Sequence, residues 1–211
     1  RKVRMYNCGP TVYDTQHIGN LSMFVFTDTI RKVLEYNNFN VKQIINITDV
    51  GHLTSDSDEG EDKMTKGLER EGLEPTLQNM LELGERYAQV FLDNLRDLNI
   101  NAEKIIFPRA SGYIPAQIAM VATLVEKGFA YPAPDGVYFD TARYPAYGAL
   151  GGIRGESQAE GARIAANKHK RNQADFALWK FNTKLGWDSP WGQGFPGWHI
   201  ECSAMARAVL G

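Results

Sequence analysis

Long apolar runs are missing from this sequence. Its 211 residues hold nothing close to the roughly 18 consecutive apolar positions that a membrane-spanning helix needs, so no membrane association is expected. Cysteine is almost missing too. Cys8 and Cys202 are the only two, too few for the disulfide framework of a small secreted domain. No signal-peptide pattern opens the chain, because Arg1-Lys2-Val3-Arg4 runs straight into a polar turn. Charge of one sign is scarce: 23 basic against 25 acidic residues leave a net charge of −2. That balance gives no sign of nucleic acid, although a local basic patch can hide inside it, since net charge averages over faces. These absences leave a cytoplasmic globular protein as the expectation.

What is present is ordinary in bulk and unusual in detail. An apolar content of 43% with 23% charged residues supports one large domain or two small ones. The chain opens in a strand-like run and stops one helix after a dense motif, which reads as a piece of a longer protein. Residues 2–7 predict a short strand ended by Gly9-Pro10. From about Leu21 to Tyr36 the pattern is helical, with Met23, Phe26, Ile30, Val33 and Leu34 on one face. Val41 to Ile47 predicts a strand buried on both faces. Strand, helix and strand of these lengths make a βαβ unit, hence a parallel sheet.

Residues 54–63 read as a solvated acidic loop. A long helix follows, from about Thr76 to Leu98. Ile105 to Phe107 is a short strand, and a helix from about Ser111 to Lys127 ends at Gly128. Phe129 to Asp140 reads as a β-hairpin around Asp135-Gly136. Residues 148–172 read as a surface connection carrying a basic knot, Lys168, Lys170 and Arg171 around His169. Phe176 to Lys180 is strand-like, Asp188 to Gly197 a loop, and Ile200 to Leu210 a helix. No internal repeat is found.

The opening run "YNCGPTVYDTQHIGN" places backbone N–H groups and a helix N-terminus at the carboxyl edge of a parallel sheet, where phosphate is attracted. His17 can donate to a phosphate oxygen or simply cap the helix. Gly19 permits close approach of a flat ring. Cys8 ends a strand and Cys202 opens a helix, so both sit where ligands gather. Two readings stay open for them, a metal site and buried thiols.

Four stretches together, "CGPTVYDTQHIGN", "NITDVG" from Asn46, "RNQADFALWK" from Arg171 and "PGWHIECSAM" from Pro196, resemble the cysteinyl-tRNA synthetase family in order and spacing along almost the whole chain. The resemblance implies an α/β fold: a Rossmann-type class I catalytic domain with a parallel sheet and an inserted connective subdomain containing the β-hairpin. It implies residues 1–100 as the first half of the catalytic domain, 101–171 as the insertion, and 172–211 as the return to the catalytic domain. It implies activation of cysteine by ATP with Mg2+, and transfer of the cysteinyl group to cysteine tRNA by a monomer. His17-Ile18-Gly19-Asn20 matches the class signature, with Asn20 in place of its second histidine; Asn still donates hydrogen bonds. By the same match His17 and Asn20 are catalytic, and Gly9, Thr11 and Gly19 join them around ATP. Thr48, Trp198 and His199 surround the substrate cysteine, and Cys8 and Cys202 are ligands of a Zn2+ ion whose further ligands, a histidine and a glutamate, come later in the family's sequence.

The family's K-M-S-K-S clamp loop and its anticodon-reading helices also come later. Lys63-Met64-Thr65-Lys66-Gly67 imitates that loop but follows the second strand, on the wrong side of a nucleotide fold, and is expected to be the exposed start of a helix. Two other functions share these features: a ligase of the mycothiol-pathway type, which hands cysteinyl-adenylate to a small amine, and a non-enzymatic truncated paralogue that binds nucleotide or zinc.

Overall fold

The computed structural model describes residues 1–51, 63–149 and 167–211; the acidic loop, apart from Lys63, and most of the 148–172 connection lie outside them. The chain begins with β1 (Lys2–Asn7), α1 (Ile18–Tyr36) and β2 (Asn40–Ile45). The two strands pair in parallel, Lys2 with Asn40 through Asn7 with Ile45. β3 (Ile105–Ile106) joins on the far side of β2, also in parallel. The predicted parallel α/β arrangement is present, in the order β1-β2-β3.

α2 (Lys63–Arg70) and α3 (Leu77–Asp97) lie between β2 and β3. Thr76 caps α3 by accepting from the Asn79 N–H, as a threonine before an apolar stripe should. Met80, Leu83, Gly84, Ala88, Phe91 and Leu95 form its buried face; the apolar spacing points to Gly84, Ala88, Phe91 and Leu95 but also to Leu81, which is exposed. The lysine-rich imitation of the clamp loop is the first part of α2, but it is not a wholly exposed start: Met64 and Leu68 are fully buried.

α1 corrects the sequence reading twice. It begins three residues earlier than expected, because His17 caps it. Its inner face is also a different one. Phe24, Thr27, Asp28 and Arg31 are buried, while Met23, Phe26 and Val33 are exposed. The Arg31 guanidinium goes inside because Asp28 and Glu35, one turn away on either side, pair with it; a buried charge is tolerated only with such partners. Phe24 meets Phe91 of α3 edge-on at 4.9 Å.

A second sheet is antiparallel. The predicted hairpin forms from β4 (Ala130–Ala133) and β5 (Gly136–Phe139), but its turn is Pro134-Asp135 and not Asp135-Gly136, because Gly136 pairs with Ala133 in the ladder. β6 (Phe176–Phe181) and β7 (Gly194–Pro196) extend it to β4-β5-β6-β7. β7 overturns the expectation of a loop over Asp188 to Gly197. Gly-Phe-Pro shows no alternation to read, and its proline is accommodated because β7 is an edge strand. α4 (Ile114–Glu126) and α5 (Ile200–Leu210) complete the chain. Val121, Val137, Leu178, Trp179, Ile200 and Met205 share one core between these helices and the second sheet.

Candidate functional site

The β1–β2 ladder continues past both strands. The Thr48 N–H donates to the Pro10 carbonyl at 3.0 Å and the Val12 N–H to the Thr48 carbonyl at 3.1 Å. This sews the Cys8–Val12 turn to the segment after β2, at the carboxyl end of the parallel sheet. Gly9 is needed there for space: a Cβ on it would come within 1.6 Å of the Asn46 carbonyl oxygen.

Cys8, exposed on that turn, and Cys202, buried in the first turn of α5, meet with their sulfurs 3.7 Å apart. His199 precedes α5 with φ 57°, in the left-handed region. That backbone turns the chain from β7 into α5, and the His199 Nδ1 lies 4.0 Å from the Cys8 sulfur and 3.7 Å from that of Cys202. His199 was expected beside the substrate; the structure puts its ring nitrogen against both sulfurs. The two sulfurs lie within hydrogen-bond reach of each other. Cys202 is pushed up by its contact with Cys8 and by burial, and Cys8 is pulled down by hydrogen bonds from Cys202 and His199. The contact with Cys8 pushes His199 up, against the effect of burial.

The donor set suits zinc. Two thiolates on a tetrahedral Zn2+ with bonds near 2.3 Å stand about 3.8 Å apart, and the two sulfurs here are 3.7 Å apart. Thiolate and imidazole suit zinc, whereas magnesium and calcium prefer carboxylate, carbonyl and water oxygens. Glu201 Oε2, next to Cys202 in the chain, is buried without a hydrogen-bond partner among the described residues, and the buried Tyr6 hydroxyl faces the Cys202 sulfur. Burial and the neighbouring Cys202 push the Tyr6 hydroxyl up, and burial pushes Glu201 up to about 6. Neither residue was singled out from the sequence, since a tyrosine inside a strand and a glutamate on a helix read as structural.

Thr48 is buried and joined to this group through Asn46, whose Nδ2 donates to the Thr48 hydroxyl at 3.0 Å. Trp198 is exposed; its ring stacks on His199 at 4.9 Å and meets Phe176 edge-on at 5.9 Å.

The remaining predicted residues form a second group at the N-terminus of α1. His17 Nδ1 accepts from the Gly19 N–H at 3.0 Å, and the His17 carbonyl accepts from the Asn20 and Leu21 N–H groups. His17, Gly19 and Asn20 are all exposed. Thr11 sits on the turn between the two groups, bridged in parallel to Thr48. The geometry thus gathers Cys8, Cys202, His199, Trp198 and Thr48 on one side, and His17, Gly19 and Asn20 at a helix terminus on the other.

The family model for the catalytic domain of class I (C) tRNA synthetases matches residues 1–211. A protein named cysteine–tRNA ligase 1 from Burkholderia lata is 49% identical over all of this chain and 44% of its own length. Proteins named cysteine–tRNA ligase from Treponema denticola and Thermus thermophilus are 45% and 42% identical, over 42% and 43% of their lengths. The chain spans about two fifths of the length of these curated relatives.

Proposed function

The chain belongs to the class I (C) tRNA synthetase catalytic-domain family, and from that premise we propose that the protein it forms part of activates cysteine with ATP and passes it to cysteine tRNA. The observation that carries this reading is the meeting of Cys8, Cys202 and His199 at the carboxyl end of a parallel sheet, where α/β proteins take their ligands.

Cys8 and Cys202 would hold a zinc ion, with His199 Nδ1 facing the same point. When bound, the ion supplies a soft Lewis acid that favours the thiolate of substrate cysteine over the hydroxyl of serine. Thr48 and Trp198 would border the amino acid. Gly9, Thr11 and Gly19 would border ATP, with His17 and Asn20 against its phosphates, whose charge Mg2+ also neutralises. A carboxylate oxygen of cysteine attacks the α-phosphorus, the bond to the leaving oxygen breaks, and pyrophosphate departs. His17 and Asn20 donate hydrogen bonds to the charge that develops. In the second step a terminal ribose hydroxyl of the tRNA attacks the carbonyl carbon and AMP leaves. No protein nucleophile is required.

The division into 1–100, 101–171 and 172–211 belongs to the same reading, with the antiparallel sheet running across the second boundary. So do a monomeric state and a cytoplasmic location; among the described residues no helix is long and apolar enough to cross a membrane.

The test is cysteine-dependent ATP–pyrophosphate exchange by the full-length protein, with serine as control and Cys202→Ala alongside. Exchange with cysteine alone, lost together with zinc in the variant, supports the reading. No exchange by an intact, zinc-loaded protein overturns it. Charging of cysteine tRNA then separates a synthetase from a ligase that uses a small amine.

A further inference from the structure

Asn46 directly follows β2 and is 1% exposed. Its side chain touches three parts of the site. Oδ1 accepts from the Gly9 N–H at 2.9 Å and lies 3.7 Å from the Cys202 sulfur. Nδ2 donates to the Thr48 hydroxyl oxygen at 3.0 Å. A backbone N–H only donates, so Gly9 decides which way the amide faces. The opposite orientation would set one N–H against another.

A hydroxyl has one proton to give and two lone pairs to offer. The Asn46 N–H fills one lone pair of Thr48 Oγ1, so the Thr48 proton must point elsewhere. Among the described residues no acceptor takes it, and Thr48 is only 4% exposed. A buried hydroxyl proton without an acceptor is costly to leave so.

We propose that Asn46 is a positioning residue for amino-acid binding. It turns the Thr48 hydroxyl so that its proton is presented to a hydrogen-bond acceptor of the bound amino acid, and it ties that hydroxyl to the Cys8–Gly9 turn. The inference rests on the roles given above to Thr48 and the two cysteines. Asn46 touches no substrate itself. It acts through Thr48, by removing the alternative in which the hydroxyl donates inward.

The experiment uses the full-length protein as wild type, Asn46→Asp, Thr48→Val and the double variant. Asp is nearly isosteric and still accepts from Gly9. Opposite Thr48 it offers an oxygen in place of an N–H, so the hydroxyl donates back into the protein. The readouts are zinc content, the thiolate charge-transfer band after cobalt substitution, melting temperature, and KM for cysteine and for ATP in pyrophosphate exchange. The expected result is a KM for cysteine raised about tenfold, with KM for ATP and the cobalt band unchanged. The double variant is expected to be no worse than Thr48→Val, because both changes act through one hydroxyl. An unchanged KM for cysteine, or effects that add independently, overturns the proposal. If Asn46→Asp loses its metal, Asn46→Ala, which brings no charge, is read through the same cycle, and additivity there overturns it. A wild type without zinc or cysteine-dependent exchange overturns the underlying reading as well, and is distinguishable because it fails before any variant is compared.

Discussion

Arg70, at the end of α2, donates to the Asp14 carboxylate at 2.6 Å. The same guanidinium donates to the Tyr13 carbonyl at 2.7 Å and to the Tyr87 hydroxyl at 2.9 Å. α2 therefore braces the strand-to-helix turn that carries His17. Gly67 of α2 lies against Tyr13, where a Cβ would come within 3.0 Å of the Tyr13 carbonyl oxygen. The segment that imitates a clamp loop has a mechanical use instead. Arg70→Ala is expected to cost only about 1 kcal/mol of stability, since the pair is partly open to water. Its effect on function is expected to be larger: KM for ATP in exchange by the full-length protein rises roughly threefold to tenfold. Arg70→Lys recovers little, because an ammonium does not match the guanidinium fork that spans Asp14 and Tyr13. An ATP KM unmoved by Arg70→Ala would remove the bracing role.

His17 caps α1 and is proposed to meet the phosphates, and one substitution separates these duties. Asn is as good a cap as any residue. His17→Asn is expected to leave the denaturation midpoint nearly unchanged while exchange falls by about a hundredfold or more. His17→Ala loses the cap as well, at about 1 kcal/mol. Full exchange by His17→Asn would reduce the residue to a cap.

Gly9 has backbone on its open side. With 1.6 Å from the ideal Cβ to the Asn46 carbonyl oxygen and 3.0 Å to Ile45 Cγ2, Gly9→Ala must push the turn off β2. The expected loss exceeds about 3 kcal/mol, beyond the usual range for surface substitutions. Urea denaturation measures it, and a loss below about 1 kcal/mol would show that the turn can shift cheaply.

Asp135, on the hairpin turn, responds to acid. Burial pushes its carboxyl up, but Lys180 at 2.7 Å, Tyr138 at 2.7 Å and Asn167 at 3.1 Å pull it down to about 2. A carboxyl held below its unfolded value near 3.9 stabilises the fold above that pH, and the gain is lost as pH falls toward 2. The Asp135 side chain is 28% exposed, and partial screening by water keeps the gain to about 1 kcal/mol or less. Asp135→Asn is expected to lower the urea midpoint at pH 7, with the gap from wild type closing between about pH 4 and pH 2. A gap independent of pH would mean that packing, not charge, is what the substitution removes.

The sequence was legible where one local signal had one meaning. The apolar spacing from Leu77 to Leu98 set α3, and two apolar runs around a turn set the hairpin, although its turn is Pro134-Asp135 and Gly136 belongs to β5. It misled on α1, whose apolar residues suit either of two faces; burial of the paired Asp28 and Arg31 decided between them, and pairing is not visible in a hydropathy period. β7 was hidden because three residues of Gly-Phe-Pro carry no alternation. Nothing in spacing joins Cys8 to Cys202; the family resemblance pointed to both, and the fold brought His199 to them. Asn46 stood in a quoted motif without a role, since only the geometry shows that one amide reaches Gly9, Cys202 and Thr48.

Cys8 and Cys202 are 194 residues apart in the chain, so they leave the ribosome at different times. At about 5–20 residues per second the first thiol waits on the order of 10–40 s for the second. During that interval the Cys8 sulfur lacks the partner that stands 3.7 Å from it in the fold. An ion held by both sulfurs would be seated only after α5 had been made and docked, so its capture would report that synthesis had passed residue 202. A chain stalled anywhere before that point keeps an unmatched thiol, a chemical mark by which unfinished copies differ from finished ones.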